Sequence, residues 1–171
     1  MEQQLRHNWR VYILFAIGLL SALSVQAAEK KLISGKDKYV RTLSQTISHP
    51  DDTPHHFLVQ QVMIHETKSS DPDFDNVTAT VYEQADSVRD RGTDRGYRIQ
   101  HHKNGDKTYI RYNGIHKLLK GQEKLHKVNI EGNWQLIGGT GKFSGIKGGG
   151  RYSGMETPED LTLKWEGEVE Y

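Results

Sequence analysis

The sequence predicts an all-β protein, an antiparallel barrel of eight short strands forming one domain. Three observations predict it. The last run, LTLKWEGEVEY, sets Leu161, Leu163, Trp165, Gly167, Val169 and Tyr171 against Thr162, Lys164, Glu166, Glu168 and Glu170, a period of two with one apolar and one wet face. Nothing beyond residue 28 carries the apolar period of a long amphipathic helix. Clusters of Asp, Gly, Pro and Ser cut the chain into runs rich in β-branched and aromatic residues, at the spacing of a small barrel.

The first element is not part of that barrel. MEQQLRHNWR carries Arg6 and Arg10, the run from Val11 to Leu23 is uncharged and apolar, and Val25 and Ala27 are small residues where a signal peptidase reads. This is the three-part pattern of a secretory signal, with cleavage expected after Ala27. An uncleaved anchor would need about 20 apolar residues, and this run is shorter. Residues 1–27 are therefore expected to be a signal peptide and residues 28–171 a single exported domain, periplasmic or extracellular. Losing Arg6, Arg10 and Glu2 leaves 21 basic and 21 acidic residues, a neutral domain with no field suited to nucleic acid and no integral span. Cysteine is absent from the sequence, which excludes thiol catalysis and disulfide stabilisation.

The expected strands are residues 39–47, 57–66, 77–85, 97–102, 107–115, 128–137, 149–154 and 161–171. One hairpin can be given a register. Asn104-Gly105 between two strand-like runs signals a two-residue type I′ turn. Ile99 would then oppose Ile110, Tyr97 would oppose Tyr112, and His101 would oppose Thr108, all facing inward. Arg98, Gln100, His102, Lys107, Tyr109 and Arg111 would face out. A loop one residue longer would invert half of that assignment.

Before the last strand comes GGTGKFSGIKGGGRYSG, residues 138–154, with eight glycines. A phosphate-binding P-loop fails here, because Leu136 stands where its first glycine belongs and Phe143 where its hydroxyl residue belongs. A dinucleotide fingerprint fails at Ser144. The glycines instead suit sharp turns between coiled strands, with Phe143 plugging the core.

The run GNWQLIGGTGKFSGIKGGGRYSG followed by LTLKWEGEVEY resembles the allene oxide cyclase and dirigent-like barrels, in particular exported bacterial members of unassigned activity. SSDPDFDN, residues 69–76, is similar to the same proteins. The resemblance covers residues 128–171 well and the rest diffusely. It implies an eight-stranded barrel of calycin or lipocalin-like shape with an apolar interior, and a possible homo-oligomer. Relatives of this kind cyclise an unsaturated lipid epoxide or steer the coupling of phenoxy radicals without a metal or organic cofactor. No catalytic residue of the family maps onto this chain. Only the structural glycines Gly138, Gly139, Gly141 and Gly145 carry over, and a fold alone confers no activity.

Other clusters admit plainer readings. His49, His55 and His56 sit among acids in HPDDTPHHF, a proline-bearing polar loop in which a metal site competes with simple solvation. Asp71, Asp73 and Asp75 have calcium-loop spacing, but Asn76 replaces the turn glycine and Tyr82 the final glutamate. No metal site is expected. Asn76-Val77-Thr78 is a formal glycosylation sequon. Lys117, Lys120, Lys124 and Lys127 make residues 115–128 basic, either a loop or a short helix over a barrel mouth.

The leading functional expectation is a cofactor-free barrel that binds a small apolar or aromatic ligand, lined by Tyr97, Tyr112, Trp134, Phe143 and Trp165. The same rings could instead fill a packed structural core, since eight strands are just narrow enough. A cyclase or isomerase would need an inward acid or base, for which His101 and Glu66 are the candidates. An outer-membrane barrel fits the last strand but not the charges in the other rows.

Overall fold

The structure, a computed structural model, describes residues 29–121 and 127–171. The expected signal peptide lies outside the described residues, as does Lys124 of the basic stretch. Eight strands follow one another: β1 Lys30–Ser48, β2 His56–Ser69, β3 Val77–Val88, β4 Arg91–His101, β5 Lys107–Leu118, β6 Val128–Gly139, β7 Lys147–Glu156 and β8 Leu161–Glu170. Each pairs antiparallel with the next, and β8 returns to β1, so the barrel closes in chain order. Closure leaves no row of backbone donors and acceptors exposed at a sheet edge.

β1 is longer than expected. Its first half, Lys30 to Lys38, pairs with β8, and its second half pairs with β2 from Gly35 onward. Two irregularities, between Tyr39 and Arg41 and between Thr42 and Ser44, let one strand serve both neighbours. The first half escaped the sequence pattern because its inward row, Ile33, Gly35 and Asp37, is mostly not apolar.

The β4–β5 hairpin corrects the expected register. His101 pairs with Lys107, Gln100 with Thr108 and Ile99 with Tyr109, a slip of one residue. The turn is not the two-residue type. His102 N–H donates to the Asp106 carbonyl, Gly105 N–H donates to the His102 carbonyl, and Asn104 Oδ1 accepts from Asp106 N–H. β5 keeps its expected face, with Thr108 and Ile110 buried, but β4 is inverted. Arg98, Gln100 and His102 point into the barrel, while Tyr97 and His101 stand on the outer wall. The inverted row is stable because its polar groups find partners inside.

The end of the barrel that carries the β2–β3, β4–β5 and β6–β7 connections is plugged. After β6 a single 3-10 turn, Gly141–Phe143, drops the fully buried Phe143 ring into the lumen. It stacks on His102 at 4.0 Å and meets Phe74 at 5.8 Å between ring centroids. Ile33, Ile110, Leu136, Ile146 and Val169 complete this core. Gly141 has φ 55°, and a Cβ there would lie 2.0 Å from Asp106 Oδ1, so a larger residue would have to displace the Asp106 side chain that accepts from Lys142 N–H. Lys142 anchors the plug: its Nζ pairs with Asp73 of the β2–β3 loop.

The outer wall carries charge on every strand among the described residues, for example Lys36, Glu66, Asp86, Arg95, Arg111, Glu131, Arg151 and Lys164.

Candidate functional site

Above the plug the barrel is hollow. A cavity of about 490 Å³ extends from Phe74, Ile110 and Leu136 to the opposite end, where the β7–β8 turn, Thr157 to Asp160, borders it. A space of this size falls in the range of small-molecule sites.

One side is aromatic because glycines let rings lie against the wall. Directly across the strand pairs stand Gly96 and Tyr112, Gly132 and Tyr152, and Gly35 and Trp165. A Cβ on these glycines would fall 2.6 Å from Tyr112 Oη, 2.5 Å from Tyr152 Cζ and 2.3 Å from Trp165 Cζ2. Trp134 pairs with Gly150 and lies over Gly167 in the same way. The rings pack edge to face, Trp134 with Trp165 and Tyr112 with Tyr152, each at 6.1 Å. Flattened rings line the lumen instead of filling it.

The other side, from β1 to β4, is polar. Arg98 forks onto Asp37, with Nη1 to Oδ2 at 2.6 Å and Nη2 to Oδ1 at 2.8 Å, and also donates to Thr67. Thr67 Oγ1 in turn donates to Asp37 Oδ1 at 2.8 Å. His65, from β2, is 3% exposed and lies edge-on to Tyr39, with no hydrogen-bond partner on either ring nitrogen. Burial, helped by the Arg98 charge, pushes its pKa down to about 4, so the ring is neutral near neutrality.

Nearer the open end, Glu83 accepts from Gln61 Nε2 at 2.7 Å and from Tyr112 Oη at 3.1 Å. Burial raises the Glu83 pKa, and the neighbouring Asp94 charge adds to the shift. Burial, together with Glu83 and Asp94, holds the Tyr112 phenol well above its ordinary value. Tyr152 Oη donates to Asp94 Oδ2 at 2.8 Å, and its pKa is raised by burial and by the Asp94 charge. Asp94 Oδ1 has no hydrogen-bond partner among the described residues, the nearest cationic candidate being His116 Nδ1 at 3.7 Å. Arg98 Nε and Trp134 Nε1 are likewise buried without partners. Buried polar atoms are normally satisfied, so these atoms stand out in the cavity wall.

Of the residues expected from sequence to form the site, Tyr112, Trp134 and Trp165 line the cavity. Phe143 lies beneath it in the plug. Tyr97 is 54% exposed on the outside, a consequence of the register slip. The two expected acid–base candidates also face outward: His101 is exposed beside Thr80, and Glu66 is exposed on β2. Gly138, Gly141 and Gly145 adopt positive φ around the plug, and Gly139 is pressed against Phe143. Sequence reasoning missed Asp37, His65, Glu83, Asp94, Arg98 and Tyr152. The readable signal was the alternation Asp94, Gly96, Arg98, Gln100, an all-polar row that pays off only inside a barrel.

The remaining clusters resolve into local structure. His56 sits between Asp51 at 3.0 Å and Asp86 at 2.9 Å, which raise its pKa, while His49 packs on Phe57. Asp71 pairs with Lys31 at 2.7 Å, Asp73 with Lys142, and Asp75 accepts from Ser69 N–H. The three carboxylates have three separate partners and tie the β2–β3 loop to β1, to the plug and to the end of β2.

No family model matches the chain, and no curated protein matches it. Solved structures do. The pterocarpan synthase dirigent protein PsPTS1 aligns with a TM-score of 0.50 at 13% identity, over 85% of this chain and 97% of that one. The pterocarpan synthase dirigent protein GePTS1 aligns with a TM-score of 0.51 at 13% identity, over 89% of this chain and 94% of that one. The likeness is one of fold: a closed eight-stranded barrel of the dirigent type.

Proposed function

We propose that this chain is an exported barrel that binds a small, largely aromatic or apolar molecule in its interior. The observation that carries the reading is the cavity itself: about 490 Å³, walled by Tyr112, Trp134, Tyr152 and Trp165 on one side and bordered by unpartnered polar atoms on the other. Apolar burial supplies affinity in such a site, and a few convergent polar groups supply orientation. The leader-like pattern of residues 1–27 supports export.

A second reading, a cyclase or isomerase, is favoured by one feature. Glu83 is held towards its protonated form beside Tyr112, inside a cavity, which is the state a proton donor needs. The dirigent barrels of similar fold are named as pterocarpan synthases, so catalysis within this architecture has a precedent.

Native mass spectrometry of freshly purified protein tests the binding reading, with a retained small molecule expected. Titration with aromatic compounds should also change the emission of Trp134 and Trp165. A protein that carries nothing and whose fluorescence responds to no aromatic compound would refute it. Glu83→Gln separates the readings: a binder keeps its affinity, whereas an enzyme binds but ceases to turn over.

A further inference from the structure

The open half of the cavity is lined by acidic side chains, of which burial holds Glu83 and Glu156 towards the protonated form and leaves Asp94 as the carboxylate facing the rings. Glu83, Asp94, Glu156, Glu159 and Asp160 all border it. Among the described lining residues there is no lysine, and the one arginine, Arg98, is already committed to Asp37. His65 adds no charge near neutrality, and His116 turns Nε2 to Ser87 Oγ at 2.7 Å. Among the described lining residues the nearest cationic candidate for these acids is His116, whose Nδ1 lies 3.7 Å from Asp94 Oδ1, beyond hydrogen-bond reach.

The decisive atom is Asp94 Oδ1. The residue is 7% exposed, its other oxygen is taken by Tyr152, and Oδ1 has no hydrogen-bond donor among the described residues. Leaving a buried carboxylate oxygen unsatisfied is costly, so the site favours a ligand that brings a donor. The rings around it also favour positive charge. Tyr112 and Tyr152 turn their hydroxyls onto Glu83 and Asp94, and Trp134 and Trp165 line the same cavity. A cation is attracted to aromatic faces as well as to carboxylates. A metal ion fits less well, because among the described residues no three His, Asp or Glu side chains converge on one point.

We propose that the cavity selects an organic amine, whose ammonium group docks on Asp94 Oδ1 beside Glu83 while its aromatic or apolar body lies against Trp134 and Trp165. The inference rests on the interior-binding reading above and narrows it. It also sets this chain apart from a barrel that receives a lipid carboxylate, because an anion would enter a field of its own sign.

Calorimetric titration with three probes of matched size tests it: naphthylethylammonium, naphthylethanol and naphthylacetate. The ammonium should bind at least about tenfold tighter than the alcohol, and the carboxylate weakest of all. Asp94→Asn should erase the ammonium's advantage and leave the alcohol's affinity in place. An alcohol or carboxylate that binds as tightly as the ammonium overturns amine selection and leaves interior binding standing. So does an ammonium preference that survives Asp94→Asn. Failure of all three probes to bind overturns both readings together. The ranking on the unmodified protein decides the matter by itself should Asp94→Asn fail to fold.

Discussion

Arg98 on β4 and Asp37 on β1 meet across the barrel lumen in a two-pronged ion pair, although β2 and β3 separate their strands in the wall. Both residues are more than nine-tenths buried, at 7% and 6% exposure. Removing one partner strands a charge in a place with little water. Arg98→Met should therefore cost about 3–5 kcal/mol of folding stability. Asp37→Leu combined with Arg98→Met should recover most of that loss, because no buried charge is left over. Urea unfolding of the two variants checks it. A double variant no more stable than the single one would show that the pair acts through shape and not through charge.

His65 makes a separate prediction about acid. Its pKa falls from 6.5 to about 4 on folding, so between those values the unfolded chain holds a proton that the folded one does not. Stability from this group is present above about pH 6.5 and is lost as pH falls towards 4. At about 1.4 kcal/mol per pH unit, the loss is on the order of 3 kcal/mol across the window. Glu83, whose pKa is raised, has a slope of the opposite sign, so the wild-type curve alone mixes the two. The difference between wild type and His65→Gln isolates the histidine. That difference should narrow as pH falls, and parallel curves would refute the assignment.

How far the fold was legible follows from where apolar residues mark a face. β8 alternates without interruption, and the sequence located it to within one residue. The plug was legible too, because a phenylalanine between turn glycines has few other uses. The polar wall was not legible. Asp37, Asp94 and Arg98 look like surface residues until the closed barrel brings β1 against β4 through its lumen. The β4 error has the same origin. Asn104-Gly105 signals a two-residue turn locally, whereas the actual loop holds one residue more and inverts Tyr97 and His101. The inverted row finds its partners on β1 and β2, and no pattern confined to the hairpin contains that information.

The cavity depends on the glycines opposite its rings. Gly96→Ala would place a methyl 2.6 Å from Tyr112 Oη and 2.0 Å from the Tyr82 carbonyl oxygen. Neither neighbour can yield cheaply, since one is β3 backbone and the other bonds Glu83. The variant should lose about 1–3 kcal/mol. It should also bind an interior aromatic probe more weakly, because the displaced Tyr112 ring has only the lumen to move into. An unchanged affinity would mean that Tyr112 does not shape the bound state.

Phe143 should be the most expensive single side chain to delete. It is 0% exposed and packs on Phe74, His102 and Tyr171, which come from a loop, a hairpin turn and the last residue of the chain. Phe143→Ala should cost about 3–5 kcal/mol, from lost burial and from the void left behind. The void would also join the cavity above it, since Phe74, Ile110 and Leu136 belong to both the core and the cavity lining. Loss of stability should therefore come with binding of a longer apolar probe than the native barrel admits. A variant that is destabilised but shows no change in ligand length would mean that the plug collapses into the void, and that the floor of the cavity is set by Ile110 and Leu136.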